Sequence, residues 1–337
     1  MKRTLLRLSI PFREPFTTAT GVVSERELVL LRLEDSDGVV GFGEAAPFEP
    51  YDGIPLERAV ATLTRRSRGR RPPQVRAAEE LARLDLDARR EGRPVGEPGA
   101  EAIPVNRTLS AGPPEEIAAR AAEGVREGYS CFKLKVGLPD DEERVAAVRD
   151  GIGSWPALRI DANGSWTVDE AIAAIRLLER FDLQFVEQPC ATLEELAEVR
   201  RRVSAPIAAD ESVASAEDVR RAAEAEACDV VNVKLAASGG FGAAREALHA
   251  AAEHRMAAFL SSTLDGPWAI SAALQLAGAE RLPLACGLGT LELFDADIAR
   301  AIAPPRNGLM AVPRGPGLGV EVTSGALAEV LVEEIEH

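Results

Sequence analysis

Six ionisable side chains stand in five short apolar segments of this chain. They are Lys133 and Lys135 in Phe132-Lys133-Leu134-Lys135-Val136, Asp161 in Ile160-Asp161-Ala162-Asn163 and Glu187 in Val186-Glu187-Gln188-Pro189. Asp210 in Ala209-Asp210-Glu211-Ser212 and Lys234 in Val231-Asn232-Val233-Lys234 complete the set. The step is nearly constant: 26 positions from Lys135 to Asp161, 26 to Glu187, 23 to Asp210 and 24 to Lys234. Three carboxylates and three ammonium groups in one pocket could perform metal-assisted proton transfer. The acids would be neutralised by a divalent cation, and a lysine would carry the proton. Singly, each residue has an ordinary explanation: a strand-terminal Asp is a turn former or helix cap, and Lys-x-Lys is a solvated strand face. The apolar neighbours of Lys133 and Lys135 argue against solvent. In a strand these two lysines point the same way, and an interior charge is costly unless paired.

Only certain frames bring such scattered residues together. Consecutive strands of a parallel barrel, each separated by a helix, present their C-terminal ends at one mouth, and a repeat of about 25 residues is one βα unit. The sequence predicts strands at 103–109, 131–136, 158–161, 184–187, 207–210, 230–234, 257–261 and 284–287. Helices with apolar residues at helical spacing lie between them, such as Ala171, Ile172, Ile175 and Leu178. The fold class expected is α/β, a (β/α)8-type barrel with an α+β capping domain. Residues 1–99 form the cap, with a β meander, a helix over 73–90 and a Gly/Pro linker at 92–99. Residues 100–304 form the barrel, and 305–337 a strand-like tail.

Composition narrows the class. The chain has 337 residues, enough for a barrel of about 250 plus a second domain. Its 39 basic and 54 acidic residues give a net charge of −15, which argues against nucleic acid or an anionic membrane as partner. The basic run from Arg65 to Arg71 lacks interleaved aromatics and is read as a solvated loop or helix end. Cys131, Cys190, Cys228 and Cys286 form no CxxC pair, which suggests reduced thiols in a cytoplasm. Pro11 follows only a few apolar residues, so the start reads as neither a signal peptide nor a membrane span.

These motifs, in this order and spacing, resemble the enolase superfamily over essentially the whole chain. Within it, Val186-Glu187-Gln188-Pro189-Cys190-Ala191-Thr192, the run 208–212 and Ala285-Cys286-Gly287-Leu288 are similar to the o-succinylbenzoate synthase family of actinobacterial type. The resemblance implies a lyase that takes a proton α to a carboxylate and stabilises the ene-diolate with Mg²⁺, for which Mn²⁺ could substitute. It implies Asp161, Glu187 and Asp210 as metal ligands, with Asn163 and Glu211 behind them. Lys135 would be the base, its pKa lowered by Lys133 and the metal. Lys234 would face the substrate from the far side. The tail would return to the N-terminal domain, and cap loops near 17–21, including Thr18, and 48–53 would shape the substrate side. Ser261, Ser262 and Gly289 are further candidates for contacting the substrate.

The three histidines, His249, His254 and His337, lie at no predicted strand end, so the resemblance is to the lysine–lysine branch. That branch holds o-succinylbenzoate synthases, cycloisomerases, N-acylamino acid racemases and dipeptide epimerases. Dipeptide epimerases share an Asp-x-Asp after strand 8 that holds an α-ammonium. Here the segment reads Cys286-Gly287-Leu288-Gly289, and Asp295-Ala296-Asp297 comes too late and reads as a helix start. The expected substrate is therefore a small dicarboxylate without an amine, in a dehydration that forms o-succinylbenzoate for menaquinone biosynthesis. Racemisation of N-acylamino acids, dipeptide epimerisation and a non-catalytic metal- or phosphate-binding barrel, using Ser238-Gly239-Gly240-Phe241-Gly242, stand as alternatives.

Overall fold

The run Leu28-Val29-Leu30-Leu31 shows no polar alternation because both its faces are buried. The computed structural model describes residues 1–18, 21–64, 71–110 and 112–336, excepting the side chains of 16–18 and 21. Strands β1 (Lys2–Thr18), β2 (Gly21–Glu34) and β3 (Val40–Ala45) open the chain. One face presents Leu5, Val29, Leu31 and Leu33 to the helices Leu56–Thr64 and Pro73–Glu91. The other presents Leu6, Leu8, Ile10, Leu28 and Leu30 to the main core. Gly41 and Gly43 let the second helix lie directly on β3: a Cβ on Gly43 would fall 1.9 Å from the Ala78 carbonyl oxygen.

The barrel strands follow in chain order. They are β4 (Ala102–Pro104), β5 (Arg107–Leu109), β6 (Cys131–Lys135), β7 (Ala157–Asp161), β8 (Leu183–Glu187), β9 (Ile207–Ala209), β10 (Val230–Lys234) and β11 (Ala257–Ser261). From β5 to β11 they form one seven-stranded parallel sheet in sequence order. Capping boxes at Thr167/Glu170 and Thr192/Glu195 start the helices after β7 and β8. Lys135, Asp161 and Glu187 are direct register partners, which is the structural meaning of the constant sequence step.

Two predicted strands differ from expectation. The segment 103–109 is divided: β4 pairs antiparallel with β12 (Leu309–Ala311), and β5 pairs parallel with β6. Between them, Val105 and Asn106 donate to Gly308 and Cys286 carbonyls. The eighth strand, expected at 284–287, contracts to two parallel bridges, Val105↔Cys286 and Ser261↔Gly287, which link the two edges of the seven-stranded sheet. The tail then bridges Gly317 to Pro94, forms the helix Ser324–Val330 and ends in β13 (Leu331–Glu336). Strand β13 pairs with β1, so the cap sheet has the order β13-β1-β2-β3. Among the described residues, no helix is long and apolar enough to cross a membrane.

Candidate active site

The C-terminal ends of the parallel strands surround a cavity of about 380 Å³. Lys133, Lys135, Asn163, Asp210, Glu211 and Lys234 line it from the barrel. Phe48, Pro50 and Tyr51 line it from the cap. The lysines sit four strands apart, with Lys133 and Lys135 on β6 and Lys234 on β10.

The charges form a lattice. Lys133 Nζ lies 2.8 Å from Asp161 Oδ2 and 2.7 Å from Glu187 Oε1. Lys135 Nζ lies 2.6 Å from Asp161 Oδ2 and donates to Asn163 Oδ1 at 2.7 Å. Asn163 in turn donates to Glu211 Oε1 at 2.7 Å. Lys234 pairs with Asp210 and donates to the Tyr51 hydroxyl at 2.9 Å. Asn232 donates to Glu187 Oε1 at 2.9 Å. Asp161 and Glu187 are wholly buried, and Asp210 nearly so. Such charges persist away from water only when paired.

The electrostatics follow from that pairing. Burial alone pushes the Asp161 carboxyl up, but Lys133 and Lys135 outweigh it and hold the group below the usual carboxylate range. Burial pushes Glu187 and Asp210 up, against the pull of Lys133 and Lys234 respectively. Burial would lower the Lys133 ammonium, yet Asp161, Glu187 and Asp210 hold it above its ordinary value. Lys234 is raised likewise by Asp210, Glu211 and Glu187 against burial. Tyr51 is raised well above its ordinary value by burial and by the Asp210 and Glu211 charges, so its phenol keeps the proton it donates to Asp210 at 3.1 Å.

The donor set fits a hard divalent cation. Asp161, Glu187 and Asp210 offer carboxylate oxygens from neighbouring strand ends, and Glu187 Oε2 is buried without a hydrogen-bond partner. Among the described residues, no three acidic side chains converge as a cage; an ammonium group stands against each of these acids instead. Four carboxylates, including Glu211, face three lysines. This leaves an excess negative charge suited to a cation.

The structure thus brings together Lys133, Lys135, Asp161, Asn163, Glu187, Asp210, Glu211 and Lys234. Ser261 and Ser262 also line the cavity, and Ser262 Oγ is 2.8 Å from Thr290 Oγ1. Gly287 and Thr290 line the wall where Gly289 was expected; Gly289 opens a 3-10 turn, with Pro305 and Val105 near its Cβ direction. The Thr18 side chain, residues 65–70 of the basic run and His337 lie outside the described residues. Asp297 begins a 3-10 turn rather than reaching the cavity. The Gly-rich segment at 238–242 has its own anion: Glu80 accepts from the Gly242 N–H at 3.1 Å, at the start of the helix Phe241–Glu253. His249 lies on that helix, 3.0 Å from Glu280.

Sequence reasoning missed two contributors. Tyr51 lay within a cap loop already singled out, but nothing local pairs it with Lys234, 183 positions away. Gln188 is fully buried with φ of 40°, and its Oε1 accepts from the Asp210 N–H at 2.7 Å. It fixes the next strand end from the previous one. Asn163 also has a positive φ, 47°, so two neighbouring strand ends hold uncommon backbone conformations at the site. The signal available was the run Glu187-Gln188-Pro189, whose proline marks a strand end.

Comparison with known proteins gives this geometry a lineage. Residues 2–68 match the mandelate racemase / muconate lactonizing enzyme N-terminal domain, and residues 116–326 match the enolase C-terminal domain-like family. The chain is 39% identical over 328 residues to an o-succinylbenzoate synthase of Thermobifida fusca, covering 96% of this chain and 91% of that one. A solved structure of the N-succinyl Arg/Lys racemase from Bacillus cereus superposes with a TM-score of 0.92 at 25% identity, covering 100% of this chain and 99% of the other. A dipeptide epimerase from Cytophaga hutchinsonii, in complex with Mg and the dipeptide D-Ala-L-Val, gives 0.89 at 26% identity over 99% and 98%. Both domains of one architecture match along a single chain, and the protein is an enzyme of the enolase superfamily.

Proposed function

We propose that the enzyme dehydrates 2-succinyl-6-hydroxy-2,4-cyclohexadiene-1-carboxylate to o-succinylbenzoate, a step of menaquinone biosynthesis in the cytoplasm. The observation that carries this reading is the wall at Gly287. A Cβ there would fall 2.8 Å from Ser261 Cβ, so a side chain, and hence a carboxylate, at position 287 would require Ser261 to shift. The acids that line the cavity, among the described residues, are Asp210 and Glu211, and both are engaged with barrel side chains. A substrate ammonium buried at that wall would find no free carboxylate to pair with, and a buried charge without an ionic partner is costly. The relative in Thermobifida fusca supports the same choice.

The roles follow from position. Bound Mg²⁺, held by Asp161, Glu187 and Asp210, would supply positive charge opposite the substrate carboxylate as charge develops there, and Mn²⁺ could replace it. Lys135, the outermost lysine of β6, takes the proton α to the carboxylate. As an ammonium it returns that proton to the departing hydroxyl, so that water leaves and the ring becomes aromatic. Lys133 stays charged between Asp161 and Glu187 and holds both in place. Lys234 faces the other side of the cavity and stabilises negative charge without moving a proton. Asn163 and Glu211 orient Lys135. Ser261 and Ser262 offer hydroxyls to the succinyl tail.

A second reading, racemisation of N-succinyl amino acids, is favoured by the placement of Lys135 and Lys234 on opposite sides of the cavity. These substrates carry no α-ammonium, so the Gly287 wall admits them. The test compares kcat/KM on one preparation for the dehydration, for N-succinyl amino acid racemisation and for Ala-Glu epimerisation. Dehydration should exceed both. If either other activity is greater by about tenfold, about 1.4 kcal/mol of transition-state preference, the assignment fails.

A further inference from the structure

Arg26 lies on β2, outside the catalytic lattice, and is 3% exposed. Its guanidinium has five N–H donors in a planar fork, and all of them meet backbone carbonyls. Nε donates to Leu264 at 3.1 Å and Nη2 to Thr263 at 3.3 Å. Nη2 also donates to Ala46 at 2.6 Å, and Nη1 to Pro47 at 2.7 Å and Glu27 at 3.1 Å. The plane sits 4.9 Å from the Phe48 ring centroid. Two chain segments 217 residues apart are therefore held by one side chain. One runs from Ala46 and Pro47 straight into Phe48, Pro50 and Tyr51, the cap side of the cavity. The other is Thr263-Leu264, part of its barrel side.

Two neighbouring acids flank this cation without taking its hydrogen bonds. Glu44 on β3 accepts from the Gly266 N–H at 2.6 Å, at the start of the helix Pro267–Glu280. Asp265 accepts from Thr263 Oγ1 at 3.1 Å. Both carboxyl groups are buried beside Arg26, and whichever of them is ionised favours its cation against the cost of burial. A lysine could supply the charge but not the fork.

The geometry points to Arg26 as a positioning residue that sets the width of the active-site cavity by tying the Phe48–Tyr51 cap segment to the barrel segment at Thr263 and Leu264. It touches no reacting group. Its effect reaches the chemistry through Tyr51, whose hydroxyl lies against Lys234, and through Phe48 and Leu264, which bound the substrate space. The inference stands whichever substrate the enzyme takes.

The test is hydrogen–deuterium exchange on the full-length protein, comparing wild type with Arg26→Met and Arg26→Lys. In Arg26→Met, peptides spanning 46–53 and 262–266 should lose protection together, by roughly tenfold or more, as expected for lost charge-assisted hydrogen bonds. The barrel strands should keep theirs. Arg26→Lys keeps the charge between Glu44 and Asp265 and should recover only part of the protection; if the methionine variant does not fold, this variant carries the test. In the dehydration assay, KM should rise by more than kcat falls, the signature of lost binding rather than lost chemistry. Unchanged protection in the two segments, loss spread evenly over the barrel, or a fall confined to kcat overturns the inference. If wild-type protein shows no dehydration, the reaction assigned above fails, while the exchange result still decides the role of Arg26.

Discussion

The strand-end lattice and the Arg26 junction both bury charge, and they do so in opposite ways. In the lattice, cations meet carboxylates side chain to side chain: Lys133 with Asp161 and Glu187, Lys234 with Asp210. On the proposed reading, a bound cation would take over part of this pairing. At the junction a single guanidinium is saturated by main-chain carbonyls, and its acids stand back. Carbonyls cannot leave, so that cation is fixed. On the proposed reading, the difference teaches that a charge network of side-chain pairs serves the chemistry, and a backbone-saturated charge holds the geometry.

The comparison is broken most severely by touching the lattice. Lys135→Ala should lower the rate by at least the roughly 10² to 10⁴-fold of a positioned acid–base group, measured as kcat for dehydration. Stability should change little, because Lys135 is only part-buried. Lys234→Arg should retain more activity than Lys234→Ala, since a cation suffices for electrostatic stabilisation. Equal collapse of the two would instead make Lys234 a proton carrier.

Metal exchange sharpens the same contrast. EDTA should abolish activity and Mg²⁺ or Mn²⁺ restore it. Thermal unfolding should respond as well: a ligand at a hundred times its Kd stabilises the native state by about 2.7 kcal/mol. Asp161→Asn, Glu187→Gln and Asp210→Asn should each shift that response to higher Mg²⁺ while leaving the fold intact. A melting temperature indifferent to Mg²⁺ in the wild type would remove the cation from the lattice.

The smallest effect belongs to the junction. Burial, reinforced by Asp265, pushes the Glu44 carboxyl up to about 8. The folded state therefore holds a proton that the unfolded chain releases at lower pH. The stability this contributes is complete below the ordinary carboxylate range and is lost as pH rises through about 8. Wild type should melt lower at about pH 9 than at about pH 6, by about 2–4 °C per kcal/mol lost, and Glu44→Gln should flatten that difference. An identical pH dependence in the two proteins would count against a proton held by Glu44.

The lattice was legible in the sequence because a barrel repeats. Each βα unit delivers one residue to one end, so spacing alone aligned Lys135, Asp161 and Glu187, and the register made them neighbours. The junction repeats nothing. Arg26 reads locally as one more charged residue on a strand, and its partners at Leu264 and Thr263 are set only when the cap docks. Tyr51 escaped for the same reason. The divided first strand and the contracted eighth were illegible because short apolar runs carry no record of which neighbour they will pair with. At Gly287 the decisive quantity is the distance to Ser261, which only the folded chain contains.

The cap sheet also imposes an order in time. Strand β1 lies between β2, its immediate successor, and β13, more than 300 residues later. At ribosomal speeds of about 5–20 residues per second, the outer edge of β1 waits roughly 15–60 s for its partner. During that interval an apolar strand presents unpaired amides and carbonyls, the condition in which nascent chains stick to one another. Chaperone demand during synthesis should therefore centre on β1 rather than on the barrel.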